Sequence, residues 1–256
     1  MDAVSDRIAE LTAALAALRA RLARAAGAAG RPVEDITLLP VTKFFPATDV
    51  AILWRLGCRA FGESRAQEAV AKIAEFDDLL GELEPPASDA AAVRWHMIGH
   101  LQRNKAKAVA MWADTVHSVD SVKLAQALDR AAGEALGDGV RAEPLDAFVQ
   151  ISLDGDVARG GVDIGAPGEV DRLCDLVAGA SALRLAGLMA IAPLGADPDA
   201  AFSALAAEHR RVLARHPAAR GLSAGMSEDL EAAVRHGSTC VRVGTALMGK
   251  RPLTSP

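Results

Sequence analysis

The strongest constraint on this chain is a rhythm. Eight short apolar, partly β-branched runs, at residues 36–42, 59–61, 93–98, 115–119, 148–153, 183–191, 221–224 and 240–243, alternate with segments of helical periodicity. Strands separated by helices of about 10 to 15 residues build βαβ units and a parallel sheet. Eight such units in 256 residues predict closure into an α/β fold of one (β/α)8 TIM-type barrel spanning 1–256. A doubly wound open sheet is the alternative. An extra N-terminal helix over residues 5–25 precedes the barrel, with Ile8, Leu11, Leu15, Leu18 and Leu22 on one apolar stripe. Residues 83–89, with Pro85, Pro86 and Ser88, read as a surface insertion rather than a domain boundary.

Charge and composition exclude several classes of function. The net charge of −5 offers no basic field for nucleic acid or an anionic membrane surface. No apolar run approaches the roughly 20 residues that span a bilayer, and the N-terminus carries Asp2, Asp6 and Glu10 where a secretory signal needs a basic start. A cytoplasmic monomer is expected. Cys58, Cys174 and Cys240 are odd in number and widely spaced, so they read as reduced, buried thiols and not as a disulfide or zinc framework.

In a barrel of this kind the active face lies at the C-terminal ends of the strands, and phosphate commonly binds after the last two. Lys43 stands where the first strand ends, among apolar neighbours that could lower its pKa as a Schiff-base amine requires. On its own it reads more readily as a solvated lysine at a loop start. The last two units supply Gly225, Ser227, Gly244 and Thr245, small and hydroxyl residues that can form a phosphate cup, with a helix opening near Ser227. A simple N-cap also accounts for Ser227. Arg242 could serve the phosphate or a ring. His96 and His100 share one face if the third strand continues, but no third metal ligand is evident. Met97, Met189 and Met226 read as packing, and Arg103, Lys105 and Lys107 as a solvated helix face. One lysine facing one phosphate cup suits either a Schiff-base aldolase or a pyridoxal phosphate protein.

From about residue 36 onward the motifs closely resemble those of the YggS/PROSC-type pyridoxal phosphate homeostasis proteins. They are Pro40-Val41-Thr42-Lys43, Phe61-Gly62-Glu63 with Gln67-Glu68, Trp95-His96-Met97-Ile98-Gly99-His100-Leu101-Gln102 with Asn104-Lys105, Gly187-Leu188-Met189-Ala190-Ile191, Gly225-Met226-Ser227-Glu228-Asp229, and Arg242-Val243-Gly244-Thr245-Ala246. The resemblance implies pyridoxal 5′-phosphate as cofactor, held as a Schiff base on Lys43. It implies that Ser227, Gly244 and Thr245 hold the phosphate and that Arg242 lies close to the cofactor. It puts Ser64, a shorter side chain with one fewer polar arm, at a cofactor-binding position where the family usually has asparagine. Residues 159–162 look like a variant of the family's glycine-containing loop after strand five.

The same resemblance implies a carrier or buffer of the cofactor in vitamin B6 homeostasis, with other B6 vitamers and apo-enzymes as partners. The alternative is an amino-acid racemase or another fold-type III enzyme, since alanine racemases resemble this family. Their second base is a tyrosine on a further domain, and this chain has no tyrosine at all. A third reading is a cofactor-sensing protein that uses the leading helix as an interaction surface.

Overall fold

All eight predicted runs are strands of one parallel barrel. The computed structural model describes residues 3–82 and 93–250; the predicted insertion at 83–89 lies outside the described residues. The chain begins with α1 (Ala3–Ala28) and continues through β1 (Thr37–Pro40), α2 (Ala47–Arg55), β2 (Ala60–Glu63) and α3 (Ala66–Glu82). Then come β3 (Arg94–Met97), α4 (Ala106–Ala110), β4 (Thr115–Val119), α5 (Val122–Gly137), β5 (Leu145–Ser152), β6 (Val162–Asp163) and α6 (Pro167–Ala178). The last third holds β7 (Leu183–Ala190), α7 (Pro198–Arg215), β8 (Gly221–Ser223), α8 (Leu230–Arg235), β9 (Cys240–Val243) and α9 (Thr245–Met248). The parallel order is β1-β9-β8-β7-β5-β4-β3-β2. A bridge between Val41 and Gly62, with Thr42 N–H donating to the Gly62 carbonyl at 3.0 Å, joins β1 to β2 and closes the ring. The two-residue β6, not anticipated from the sequence, pairs with β5 outside this order.

The helix α1 has a physical reason to be there. The last strand is followed by α9, only four residues long, so no full helix of its own covers the outer surface of the β9–β1 seam. Leu11, Leu15, Leu18 and Leu22 of α1 fill that position, packing in one cluster with Val241, Val243, Leu247 and Met248. All four leucines are essentially buried, each contributing roughly 1.5–3 kcal/mol by the area removed from water. Ile8 departs from the predicted stripe. It is 40% exposed, because α1 runs past the edge of the packed surface at its N-terminal end.

The second apolar cluster fills the other side of the ring, with Val116, Val119, Leu145, Val149, Leu188 and Phe202 among its buried members. Helix starts follow the expected capping chemistry in places: Ser121 Oγ accepts from Leu124 N–H ahead of α5, and Asp197 accepts from Asp199 N–H ahead of α7. The three cysteines are buried free thiols, and burial pushes the pKa of Cys240 up to about 11 and that of Cys174 to about 12, against thiolate chemistry. No helix among the described residues is long and apolar enough to cross a membrane.

Candidate functional site

Register brings the predicted site together from ends of the chain 200 residues apart. Thr37 pairs with Cys240 and Pro40 with Val243, and Val41 N–H donates to the Val243 carbonyl at 2.9 Å. Lys43 therefore leaves β1 beside Gly244 and Thr245 as they leave β9. On the next strand, Ser227 Oγ accepts from Ala246 N–H at 3.3 Å, tying the loop after β8 to the start of α9. Lys43, Ser227, Gly244 and Thr245 thus share three adjoining strand ends at one mouth of the barrel.

The sequence reading of Ser227 needs correction in one respect. The helix after β8 begins at Leu230, not near Ser227. Ser227 is therefore neither the N-cap of that helix nor the first residue of a helical anion site; its hydroxyl is committed to the α9 segment instead. Gly225 lies at φ +91°, and a Cβ there would come within 2.5 Å of Ala233 Cβ. Only glycine holds the loop that close to α8. Met226, predicted as packing, is 38% exposed at this mouth, whereas Met97 and Met189 are buried as expected.

Around Lys43 the backbone is tightly held. The next residue, Phe44, has a left-handed φ of 70°, a conformation that costs a non-glycine residue on the order of 1–2 kcal/mol and is kept where the surroundings impose it. The half-buried Lys43 has its Nζ 5.9 Å from the Phe44 ring centroid, and the Arg65 guanidinium lies 5.2 Å from the same ring. Beneath, Thr42 Oγ1 donates to Glu63 Oε1 at 2.7 Å. Lys72 Nζ donates both to Glu63 Oε1 at 2.7 Å and to the Thr42 carbonyl at 2.8 Å. Glu63 and Lys72 are buried, and Glu63 Oε2 has no hydrogen-bond partner among the described residues. Ser64 is half-buried at the end of β2, the strand joined to β1, and its backbone is packed against Gly99, where a Cβ would overlap the Ser64 carbonyl.

Arg242 sits one step inside the mouth. It is buried, donating from Nη1 to Ser223 Oγ at 2.6 Å and from Nη2 to the Ala190 carbonyl at 2.9 Å. Ser223 Oγ lies 2.8 Å from His117 Nδ1, and His117 Nε2 lies 2.9 Å from His96 Nδ1. With Arg242 donating, the Ser223 hydroxyl can donate to His117 and His117 to His96, so two neutral rings satisfy the whole row. Phe148 stacks on His117 at 4.6 Å between centroids. Burial lowers His96 to about 4, with Arg94 adding to the shift, and holds His117 well below 6.5, with His96 and Arg242 adding. Burial also lowers the Arg242 pKa.

His100 does not share a face with His96. The third strand ends at Met97, and His100 lies in the following turn with its side chain 65% exposed, 3.7 Å from Asp120. It also precedes, rather than opens, the next helix. Among the described residues no three His, Cys, Asp or Glu side chains are grouped to hold a metal. His117 and Lys72 carry no motif that singles them out in the sequence; the signal for His117 is an imidazole in the middle of the short run 115–119. Residues 157–163 form a short turn and β6, with Arg159 ion-paired to Asp154 at 3.3 Å.

The neutral histidines make stability depend on pH. Between the ordinary value of 6.5 and about 4, the unfolded chain binds a proton that folded His96 does not. Stability is therefore complete above pH 6.5 and falls as the pH drops, by up to ~1.4 kcal/mol per pH unit for this one group. Urea midpoints measured at neutral pH and near about pH 5 are expected to drop more steeply in the wild type than in His96→Gln; parallel slopes would refute the assignment.

A closed parallel barrel with a lysine just past the end of its first strand, beside Gly, Ser and Thr residues at the ends of its last two, defines the class, and the family described as alanine racemase, N-terminal domain, matches residues 13–252. Across its whole length the chain is 59% identical to the pyridoxal phosphate homeostasis protein of Mycobacterium leprae, covering 98% of that protein. The chain belongs to the family of pyridoxal phosphate homeostasis proteins. Among solved structures, a protein of Bifidobacterium adolescentis superposes with a TM-score of 0.83 at 30% identity, covering 97% of each chain. PipY of Synechococcus elongatus PCC7942, solved with PLP bound, superposes with a TM-score of 0.76 at 34% identity, covering 93% of this chain and 100% of that one.

Proposed function

We propose that this chain binds pyridoxal 5′-phosphate at the barrel mouth, with its aldehyde on Lys43, and serves as a cytoplasmic, monomeric carrier or buffer in B6 homeostasis. The observation that carries this reading is the convergence of Lys43 with Ser227, Gly244 and Thr245 on adjoining strand ends. Held there, the cofactor would supply an electrophilic aldehyde to the Lys43 amine, with Ser227, Gly244 and Thr245 holding its phosphate.

The residues fit the group. Gly225 brings backbone close at the base of the cup, and Ser227 keeps a hydroxyl proton to donate while its oxygen accepts from Ala246 N–H. Gly244 and Thr245 add backbone and hydroxyl donors at the neighbouring strand end. Arg242 places fixed positive charge just below, held by Ser223 and Ala190. Ser64 offers one short hydroxyl from the β2 side. PLP bound in PipY supports the same ligand here.

A carrier is favoured over a racemase because a two-base reaction needs a second acid beside the lysine. The chain has no tyrosine, and its two neutral histidines are tied to each other and to Ser223 below the mouth. Apo-enzymes and other B6 vitamers are the partners this reading supplies. Borohydride reduction of the protein mixed with pyridoxal 5′-phosphate, followed by peptide mass mapping, tests it: the expected label is on Lys43, and a label on any other residue sinks the assignment. Turnover of amino acids near the enzyme median of about 10 per second would overturn the carrier role.

A further inference from the structure

The phosphate cup is not built by the barrel alone. Helix α1 lies outside the eight βα units, yet it reaches Ser227 in the cup and the far end of α9, the segment that Thr245 begins. From its C-terminal half, Arg21 Nη1 donates to the Ser227 carbonyl at 2.6 Å, while its Nε and Nη2 hold the two carboxylate oxygens of Glu231 on α8, each at 2.6 Å. From its N-terminal half, Arg7 Nη2 donates to the Met248 carbonyl at the end of α9 at 3.1 Å, and the same guanidinium grips the buried Asp49 of α2. The cup segment 225–229 is also pinned by Arg242 N–H on the Gly225 carbonyl at 2.9 Å, by Met226 N–H on Asp229 Oδ1 at 2.6 Å, by Ala246 N–H on Ser227 Oγ at 3.3 Å and by Ala233 N–H on the Asp229 carbonyl at 3.0 Å. None of these bonds is made to the Ser227 carbonyl. Arg21 supplies the one on Ser227's own carbonyl, and the bidentate grip on Glu231 fixes the guanidinium from which it acts.

Resting on the phosphate reading given above, we infer that Arg21 is a positioning residue for the phosphate site: through the Ser227 carbonyl it sets the direction of the Ser227 hydroxyl and makes α1 part of phosphate recognition. Arg21 does not touch the ligand. Its contribution is to phosphate affinity and not to the chemistry at Lys43. A ligand lacking the phosphate has no use for it.

Pyridoxal 5′-phosphate and pyridoxal form the same bond with an amine and differ only in the phosphate, so the ratio of their dissociation constants isolates the cup. A general loss of stability changes the folded fraction seen by both ligands alike and leaves the ratio untouched. Arg21→Ala is expected to weaken pyridoxal 5′-phosphate about tenfold, a size typical of groups that orient a direct ligand, with pyridoxal unchanged. Inorganic phosphate is expected to compete more weakly against the variant than against the wild type. Arg21→Lys, which keeps one donor for the Ser227 carbonyl, recovers part of the ratio, and Glu231→Gln, which loosens the guanidinium, loses part of it. Arg19→Ala removes an arginine of the same helix that donates instead to the Leu56 carbonyl and leaves the ratio as in the wild type.

An unchanged ratio in Arg21→Ala, or an equal shift in Arg19→Ala, overturns the inference. If Arg21→Ala does not fold, the Arg21→Lys and Glu231→Gln ratios decide in the same way. A wild type that binds the two ligands equally well would instead remove the phosphate cup itself, and the inference with it.

Discussion

Lys43→Ala is expected to abolish the borohydride-reducible label completely, and to weaken pyridoxal 5′-phosphate by at least about 100-fold, close to 3 kcal/mol at 1.4 kcal/mol per factor of ten. Lys43 is the residue at which β1 meets the mouth, its neighbour Phe44 is held at a left-handed φ of 70°, and the carbonyl before it is fixed by Lys72. A lysine introduced elsewhere on the rim has no such preorganisation, so the loss is not rescued by amine chemistry at another position. The cup after β8 and β9 is untouched by the substitution. Residual binding of the variant is therefore expected to be competed by inorganic phosphate, as measured by equilibrium dialysis. Retention of the reducible label in Lys43→Ala would place the covalent bond on another amine.

Lys72→Met is expected to be the most destabilising single substitution near the site. Glu63 is fully buried and Lys72 nearly so, and removing the ammonium leaves a carboxylate with Thr42 Oγ1 as its only hydrogen-bond partner among the described residues. Breaking a buried pair from one side costs ~3–5 kcal/mol, whereas replacing both partners by neutral groups of similar size is far cheaper. Urea denaturation of Lys72→Met and of the double variant Lys72→Met/Glu63→Gln checks this, with the double variant recovering most of the loss. A single-variant cost below about 1 kcal/mol, the range of exposed pairs, would mean that the pair is solvated in the folded protein. The same substitution releases the Thr42 carbonyl, so a weaker cofactor interaction at Lys43 is expected to accompany the lost stability.

Much of the fold was legible because it is encoded locally. Leu11, Leu15, Leu18 and Leu22 announce their helix by spacing alone, and the eight strand runs announce theirs by length and composition. Gly225, Ser227, Gly244 and Thr245 were legible as small and hydroxyl residues at strand ends. Boundaries and partners were harder to read. The helix after β8 starts at Leu230, three residues beyond Ser227, because the Gly225 turn and the Met226–Asp229 contact use up the intervening residues. The four-residue spacing of His96 and His100 puts them on one face only if the strand continues past Met97, and there the chain turns to pack Gly99 on Ser64.

By itself, then, the sequence determined the (β/α)8 class and the leading helix, which depend on residues close together in the chain, and it marked a lysine at one strand end and small and hydroxyl residues at two others without saying that they adjoin. Tertiary structure alone decided the row from His96 through His117 and Ser223 to Arg242, the Glu63–Lys72 pair, and the reach of Arg21 to Ser227. These contacts join residues 9 to 206 positions apart. Their inward or outward sense is also hidden in the strands that supply them: all five residues of β4 and all four of β9 are buried. A strand covered on both faces loses the alternation that would tell one side from the other. Whether His117 and Arg242 faced the barrel interior or the helices could be settled only by the register in which the eight strands closed.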